Sequence, residues 1–319
     1  MHFSSLSILH NHTTTLSAIF PWRECFVVGG AIRDLLLGIT DNPSDIDITW
    51  AGQPNERRDM MELPEEDRSC FRTEKFGTMT LVDKATDPHC FYEITPFREE
   101  TGYADNRHPD EIVWSNNLLA DSCRRDFTIN SLYWTPITTM DAKNCVPTTE
   151  ISLKDDQHLL TILKQHGWCF LVDSWIIILQ DHDLIKQLLN TKTISELPHC
   201  IDVKNCSTEF QDAKNCVPTI LIDQHHWLND LVNRKIRAVW TPVDRFTEDA
   251  LRILRGIRFT NMLNQSIPNA EKQNTGFDLD KQTRQGMEKT VHLVKELSAE
   301  RLHAELMKVF SWNNPFGYI

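Results

Sequence analysis

Two aspartates spaced two residues apart, Asp45 and Asp47, are the residues of this chain best suited to chemistry. They lie in "SDIDIT", which reads as a strand, and alternate residues of a strand point to the same face. Carboxylates held side by side repel unless a cation joins them. A hard divalent ion such as Mg²⁺ suits an all-oxygen ligand set. Just upstream, "FVVGGAIRDLLLG" reads as a buried strand (Phe26–Val28), a Gly29-Gly30 turn and a helix carrying Arg33. Glycines let the backbone approach a ligand closely, and amides at a helix start suit a phosphate. Arg33 adds a permanently charged fork that fits phosphate oxygens. Metal, polyphosphate and paired aspartates together are the equipment of phosphoryl or nucleotidyl transfer. Each piece alone has a plainer reading, since an aspartate pair also caps turns and an arginine on a surface helix needs no ligand. Glu93, on the predicted strand "YEITPF", is a candidate third carboxylate.

The elements that must position these residues alternate short strands and helices over residues 20–134. "FGTMTLVD" alternates with period two and "YEITPFREE" reads as a further strand. Residues 99–112 are polar and turn-rich, and they read as a flexible loop offering Arg98, Arg107 and His108 as charged contacts. From Asp230 onward the pattern is helical. "TEDALRILRGIRF" reads as one helix with Thr247 as N-cap and Glu248 and Asp249 in its first turn. "SAERLHAELMKVF" reads as an amphipathic helix capped by Ser298. The 319 residues suffice for two or three modest domains. With 33 basic against 45 acidic residues the net charge is −12, which argues against a broadly basic nucleic-acid coat but leaves room for a local basic patch. Nine cysteines lack CxxC pairing and the first twenty residues hold no Lys or Arg. Both features point to free thiols in the cytoplasm, with neither signal peptide nor presequence. The apolar run "WCFLVDSWIIIL" is too short to span a membrane and carries Asp173.

Four stretches in order carry a specific resemblance: "FVVGGAIRDLLLGITDNPSDIDIT", "SCRRDFTINSLYW", "RFTEDALRILRGIRF" and "ERLHAELMKVF". They resemble the motifs of the class II tRNA nucleotidyltransferase and bacterial poly(A) polymerase family. The similarity covers roughly residues 20–134 and 220–310. It implies an α+β fold, with a nucleotidyltransferase-like mixed β-sheet head and flanking helices, followed by a helical neck. It also implies addition of CCA to the tRNA 3′ end from CTP and ATP by a two-Mg²⁺ mechanism, with Asp45 and Asp47 as metal ligands and catalytic residues. Gly30 and Arg33 would meet the triphosphate. Arg125 would reach phosphate, and Asp126 would sit near the ribose. Asp249 and Arg252, three apart on one helix face, would read the Watson–Crick edge of the incoming base, so that protein templates the reaction. Arg255 and Arg258 would continue that ridge toward phosphate or ribose. Without the resemblance, the same pair reads as a solvated salt bridge. The retained 99–112 loop, by resemblance, favours addition of the final A.

The stretch between the two matched regions is unlike the family. It repeats "DAKNCVPT" at Asp141–Thr148 and Asp212–Thr219, with "DQH" following at 156–158 and 223–225. Two copies do not make a solenoid, and its His and Cys spacing fits no structural zinc site. It reads as an insertion at a surface turn, dispensable enough that Pro136 joined directly to Ile220 preserves the fold. The expected organisation is therefore a catalytic head at 1–134, an insertion at 135–219 and a helical neck at 220–319. The resemblance also implies a body and tail that are largely absent after "SWNNPFGYI". The alternative functions are a bacterial-type poly(A) polymerase and a non-catalytic nucleotide- or RNA-binding remnant.

Overall fold

The computed structural model describes residues 1–17, 25–54, 68–73, 77–84, 86, 88–101, 111–136, 150–151, 156–171, 176–185, 219–266 and 276–310. It divides into two compact units, 1–96 with 132–226, and 97–131 with 227–319. This division interleaves the chain, whereas the sequence reading drew three contiguous segments.

The first unit is built on a ten-stranded mixed sheet. Its centre is β1 (Cys25–Val28), four buried apolar residues. β1 pairs antiparallel with β2 (Asp45–Trp50). Between them, Gly29 adopts φ +83, a backbone state that only glycine enters readily. Helix α2 (Gly30–Leu37) follows and buries Ala31, Ile32, Leu35 and Leu36. Gly38, at φ +68, ends it in the left-handed conformation typical of a helix C-terminus. Beyond β2 the sheet continues through β5 (Cys90–Pro96), parallel to β2, then β4 (Thr78–Asp83) and β3 (Arg68–Thr73), both antiparallel. The N-terminal segment, a short 3₁₀ helix (Phe3–Ile8) and α1 (Leu9–Ser17), buries Phe3, Leu6, Leu9 and Leu16.

On the other side of β1 lies β8 (Tyr133–Pro136), which pairs antiparallel with β12 (Thr219–Ile222) so that Pro136 faces Thr219. The long insertion thus interrupts a hairpin without breaking its register. It does more than loop out from a surface turn, as the sequence suggested. It supplies β9 (Glu150–Ile151), α4 (Asp156–His166), β10 (Trp168–Leu171) and β11 (Ile176–Leu179), and these strands extend the main sheet. β11 is fully buried between β10 and β12. It runs parallel to β12, with Ile176 opposite Thr219 and Leu179 opposite Ile222. Each strand then leads into a Gln/Asp pair and a histidine, Gln180-Asp181-His182 and Asp223-Gln224-His225. Gln180 Nε2 donates to Asp223 Oδ2 across the two turns at 2.6 Å. The "DAKNCVPT" copies lie, apart from Thr219, outside the described residues.

The second unit is mainly helical. A hairpin pairs β6 (Arg98–Thr101) with β7 (Glu111–Trp114). The ends of the expected 99–112 loop are therefore strands. Arg98 sits in the first strand, while Arg107 and His108 lie outside the described residues. The helices are α3 (Leu118–Cys123), α5 (Trp227–Val232), α6 (Pro242–Glu248), α7 (Leu251–Ser266), α8 (Lys281–Thr290) and α9 (Ala299–Phe310). A two-stranded parallel ladder, β13 (Lys235–Ile236) with β14 (Asp278–Leu279), ties the chain before α6 to that after α7. Phe127, Phe246 and Phe259 form its aromatic core, with ring centroids 6.3 and 5.9 Å from Phe127. Gly256 lets α7 approach this core, since a Cβ there would lie 2.9 Å from Phe127 Cζ. Cys25, Cys90, Cys123 and Cys169 are free thiols. Among the described residues no helix is long and apolar enough to cross a membrane.

Candidate functional site

In the first unit, β2 buries Ile46, Ile48 and Trp50 and presents Asp45 and Asp47 to solvent on the opposite face. The apolar side of the strand fixes its orientation, and the carboxylates have no choice of face. Strand β5 does the same with Tyr92 and Ile94 inward and Glu93 outward. Glu93 is the direct neighbour of Asp47 in the parallel register. Adjacent strands lie about 4.8 Å apart, so Glu93 joins the two aspartates on one exposed face. Such a donor set, oxygen only, suits a hard cation. Among the described residues no three His, Cys, Asp or Glu side chains are gathered tightly enough to cage an ion by themselves.

Gly30 is the first residue of α2, and Arg33 folds back beneath it. A Cβ at position 30 would stand 3.4 Å from Arg33 Nη2. Arg33 is only 6 % exposed, and its Nε and Nη2 donate to the two carboxylate oxygens of Asp34 at 2.7 and 3.0 Å. Asp34 thus orients the guanidinium.

In the second unit the pair Arg125-Asp126 follows α3. Arg125 Nη2 donates to Asp121 Oδ2 at 3.0 Å and Nη1 to the Asn130 carbonyl at 3.4 Å. Asp121 is fully buried. Burial would raise its pKa, but Arg124 and Arg125 outweigh burial and hold it below the ordinary value. Asp126 is also buried, and its oxygens are spent on protein partners. Oδ1 accepts from Phe127 N at 2.8 Å and Asn130 Nδ2 at 3.2 Å, and Oδ2 from Arg255 Nε at 2.6 Å. Burial pushes its pKa up, yet Arg255 and the hydrogen bonds bring it down to about 2. Asp126 is thus an anchor between the turn after α3 and α7.

The expected single helix over Thr247–Phe259 is two helices. Helix α6 ends at Glu248, Asp249 is extended (φ −147, ψ 102), and α7 begins at Leu251. Thr247 is interior to α6, and Asp249 itself caps α7 by accepting from Leu251 N at 3.1 Å. Asp249 and Arg252 therefore do not share a helix face. Arg252 pairs instead with Glu248 at 2.8 Å and donates to the carbonyls of Arg245 and Arg124. Glu248 also pairs with Arg245, whose Nη1 reaches the Cys123 carbonyl at 2.8 Å. Both carboxylate oxygens of Asp249 accept from Arg301 Nη2, at 3.1 and 2.8 Å. Arg258 pairs with buried Glu305 and lies over the Phe259 ring at 4.4 Å. Arg255 crosses the same ring at 5.2 Å.

Asp121, Arg245, Arg301 and Glu305 were not singled out from sequence. The signal was present as spacing. Asp121 stands four residues before Arg125, and Arg301 four before Glu305, a spacing that on a helix would put each pair on one face, although Arg125 lies just past the end of α3. Without knowing what lay opposite, those faces carried no preference for a partner.

A mixed sheet with flanking helices and a mainly helical second unit is also found in known proteins. Residues 25–146 match the poly A polymerase head domain, and residues 276–318 match the probable RNA and SrmB-binding site of polymerase A. A CCA-adding enzyme of Lactobacillus helveticus is 28 % identical over 286 residues, covering 90 % of this chain and 46 % of its own length. One of Streptococcus gordonii is 27 % identical over 287 residues, with 90 % and 46 % coverage. The chain spans about half the length of the curated relatives it matches. Two solved structures share the fold. The Bacillus stearothermophilus CCA-adding enzyme in complex with CTP gives TM-score 0.51 at 20 % identity, covering 97 % of this chain and 48 % of that one. A tRNA nucleotidyltransferase complexed with a primer tRNA and an incoming ATP analog gives 0.51 at 21 %, covering 92 % and 54 %. Over these two segments the chain is similar to the poly A polymerase family, and the curated relatives it matches are CCA-adding enzymes.

Proposed function

We propose that this protein adds CCA to the 3′ end of tRNA from CTP and ATP without a nucleic-acid template. The observation that carries the reading is the exposed Asp45–Asp47 pair, with Glu93 in register beside it, one turn of chain after Gly29-Gly30. Two bound Mg²⁺ ions would activate the RNA 3′-hydroxyl and neutralise the leaving pyrophosphate. Asp45 and Asp47 would be their protein ligands, with Glu93 positioned as a third oxygen donor. Gly30 leaves the start of α2 open to phosphate oxygens, and the Arg33 guanidinium, held by Asp34, lies beside it. In the second unit Arg125 is held by Asp121 and Asn130, and Arg255 by Asp126. These contacts pre-set the guanidinium groups for an anionic ligand and reduce the ordering cost on binding. Asp249 keeps an acceptor edge fixed by Arg301, and Arg252 a donor edge fixed by Glu248. Together they would read the hydrogen-bonding edge of cytosine or adenine.

Incubation with a tRNA lacking its 3′ end, with CTP and ATP given separately and together, tests this. Two C residues followed by one A is the expected product. Long A tails would mark the poly(A) polymerase alternative, which the name of the matching head-domain family favours, and no product would mark a non-catalytic chain. Asp45→Ala and Asp47→Ala should each abolish transfer while leaving the fold intact, since both residues are exposed.

A further inference from the structure

Trp240 is the most anomalous residue of the second unit. It lies 65 % exposed in the turn before α6, at φ +60. A bulky L-residue in the left-handed region is a genuine outlier, strained by the Cβ–carbonyl clash. The fold gains little burial in return for that strain. Its neighbours are anchored firmly. Ala238 N donates to Thr283 Oγ1 at 3.0 Å, and Val239 N donates to the carbonyl of Asp126 at 3.1 Å. Two residues later Pro242 rests against α8, where a Cβ on Gly286 would come within 2.6 Å of its Cβ. The turn is thus held between the Arg125-Asp126 motif and a helix inside the segment that matches an RNA-binding site. Strained residues concentrate where the strain serves function. An exposed ring fixed on a rigid turn is what a stacking platform for an unpaired base requires.

We infer that Trp240 is an RNA-contacting residue whose indole stacks on a base of the single-stranded 3′ end. This rests on the reading of the protein as an RNA nucleotidyltransferase. RNA fits better than a protein partner because the ring stands among polar positions. Thr241 follows it, and the outward residues of α8 are Lys281, Gln282, Gln285, Glu288 and Lys289, all polar. Lys235, Arg237 and Arg284 of the same unit are already paired with Asp278, Asp230 and Asp280. The contribution of Trp240 is therefore stacking, which salt screens little, and not phosphate attraction.

The test compares Trp240→Gly and Trp240→Phe with the wild-type protein, using a short fluorescein-labelled single-stranded RNA, at low and moderate salt. Trp240→Gly should raise Kd about fivefold to a hundredfold, the range alanine substitution gives for one stacked base. The factor should be the same at both salts. Trp240→Phe should keep most of the affinity. The melting temperature of Trp240→Gly should equal or exceed that of the wild type, because glycine relieves the backbone strain, and CTP binding should not change. Unchanged RNA affinity in Trp240→Gly overturns the proposal, as does equal loss in the Phe variant or loss accompanied by a lower melting temperature. A dimer that Trp240→Gly dissociates, with RNA affinity unaltered, would instead make the ring a self-association surface. If the wild type extends tRNA yet Trp240→Gly binds RNA normally, only this inference falls. If the wild type neither extends tRNA nor binds the RNA, both fall.

Discussion

Replacing Asp126 by Asn tests the ion pair at the centre of the second unit. The substitution keeps shape, and the amide oxygen still accepts from Phe127 N and Asn130 Nδ2, but its NH2 now faces the Arg255 donors, so the charge and the hydrogen bond opposite Arg255 are both removed. Breaking a buried pair costs about 3–5 kcal/mol. A third of the Arg255 side chain reaches solvent, so the lower end, about 3 kcal/mol, is expected near neutral pH. The pH dependence follows from the pKa. Asp126 ionises near 2 in the folded protein against 3.8 when unperturbed. A depressed folded-state pKa gives stability that is fully present above the unfolded value and lost as pH falls through the folded one. The shift is worth about 2 kcal/mol. In urea denaturation monitored by tryptophan fluorescence, the wild-type advantage over Asp126→Asn should be full at pH 6 to 7. It should begin to shrink as pH falls below about 4 and lose about 2 kcal/mol by pH 2. Asp121 also titrates in acid, but it is common to both proteins and cancels in the difference. A gap that stays constant across this range would show that the Asp126–Arg255 contact contributes no charge-specific stability.

Three further outcomes are expected. His12 is buried against Tyr92, and burial, only partly countered by Asp83, lowers its pKa below 6.5. The unfolded chain therefore takes up this proton first, and stability should fall as pH drops below about 6.5; His12→Gln should flatten that part of the curve, and an unflattened curve would remove His12 from the account. Replacing residues 137–218 by an Asn-Gly turn preserves the Pro136–Thr219 register but turns β12 into an open edge, so size-exclusion chromatography should show self-association and urea a lower midpoint; a monomer of unchanged midpoint would mean β11 adds nothing to the sheet. Asp249→Ala and Arg301→Ala should alter selection among the four nucleotides in the same way, by about 1–3 kcal/mol of discrimination, while Arg33→Ala weakens all four alike; identical profiles for Arg33→Ala and Asp249→Ala would end the base-reading role.

The head was legible because its signals are local. Ile46, Ile48 and Trp50 alternate with Asp45, Asp47 and Thr49, and that alternation alone puts both aspartates on one face once the strand has a core beneath it. Gly29 and Gly38 mark the two ends of α2 through backbone states that other residues avoid. The insertion was misread for the opposite reason. Ile176–Leu179 is a bare apolar run, and periodicity cannot say whether such a run is a buried strand or a helix segment, nor which strand it will join. Its pairing with β12 is a contact between residues more than forty positions apart.

The helix around Asp249 shows where local reading fails within a recognised motif. "TEDALRILRGIRF" carries continuous helical propensity and no glycine or proline before Gly256, so nothing local breaks it at Asp249. The break is held by tertiary partners. Arg301 takes both carboxylate oxygens from α9, and Arg245 and Arg252 reach the Cys123 and Arg124 carbonyls at the end of α3. Each contact outweighs the few tenths of a kcal/mol by which a residue prefers one more helical turn. On one continuous helix, Asp249 and Arg252 would most simply pair with each other. Separated by a cap, each is paired elsewhere, Asp249 with Arg301 and Arg252 with Glu248. The proposed base-reading role therefore requires an incoming base to share or displace those partners, which is why Arg301→Ala is expected to change selection as Asp249→Ala does.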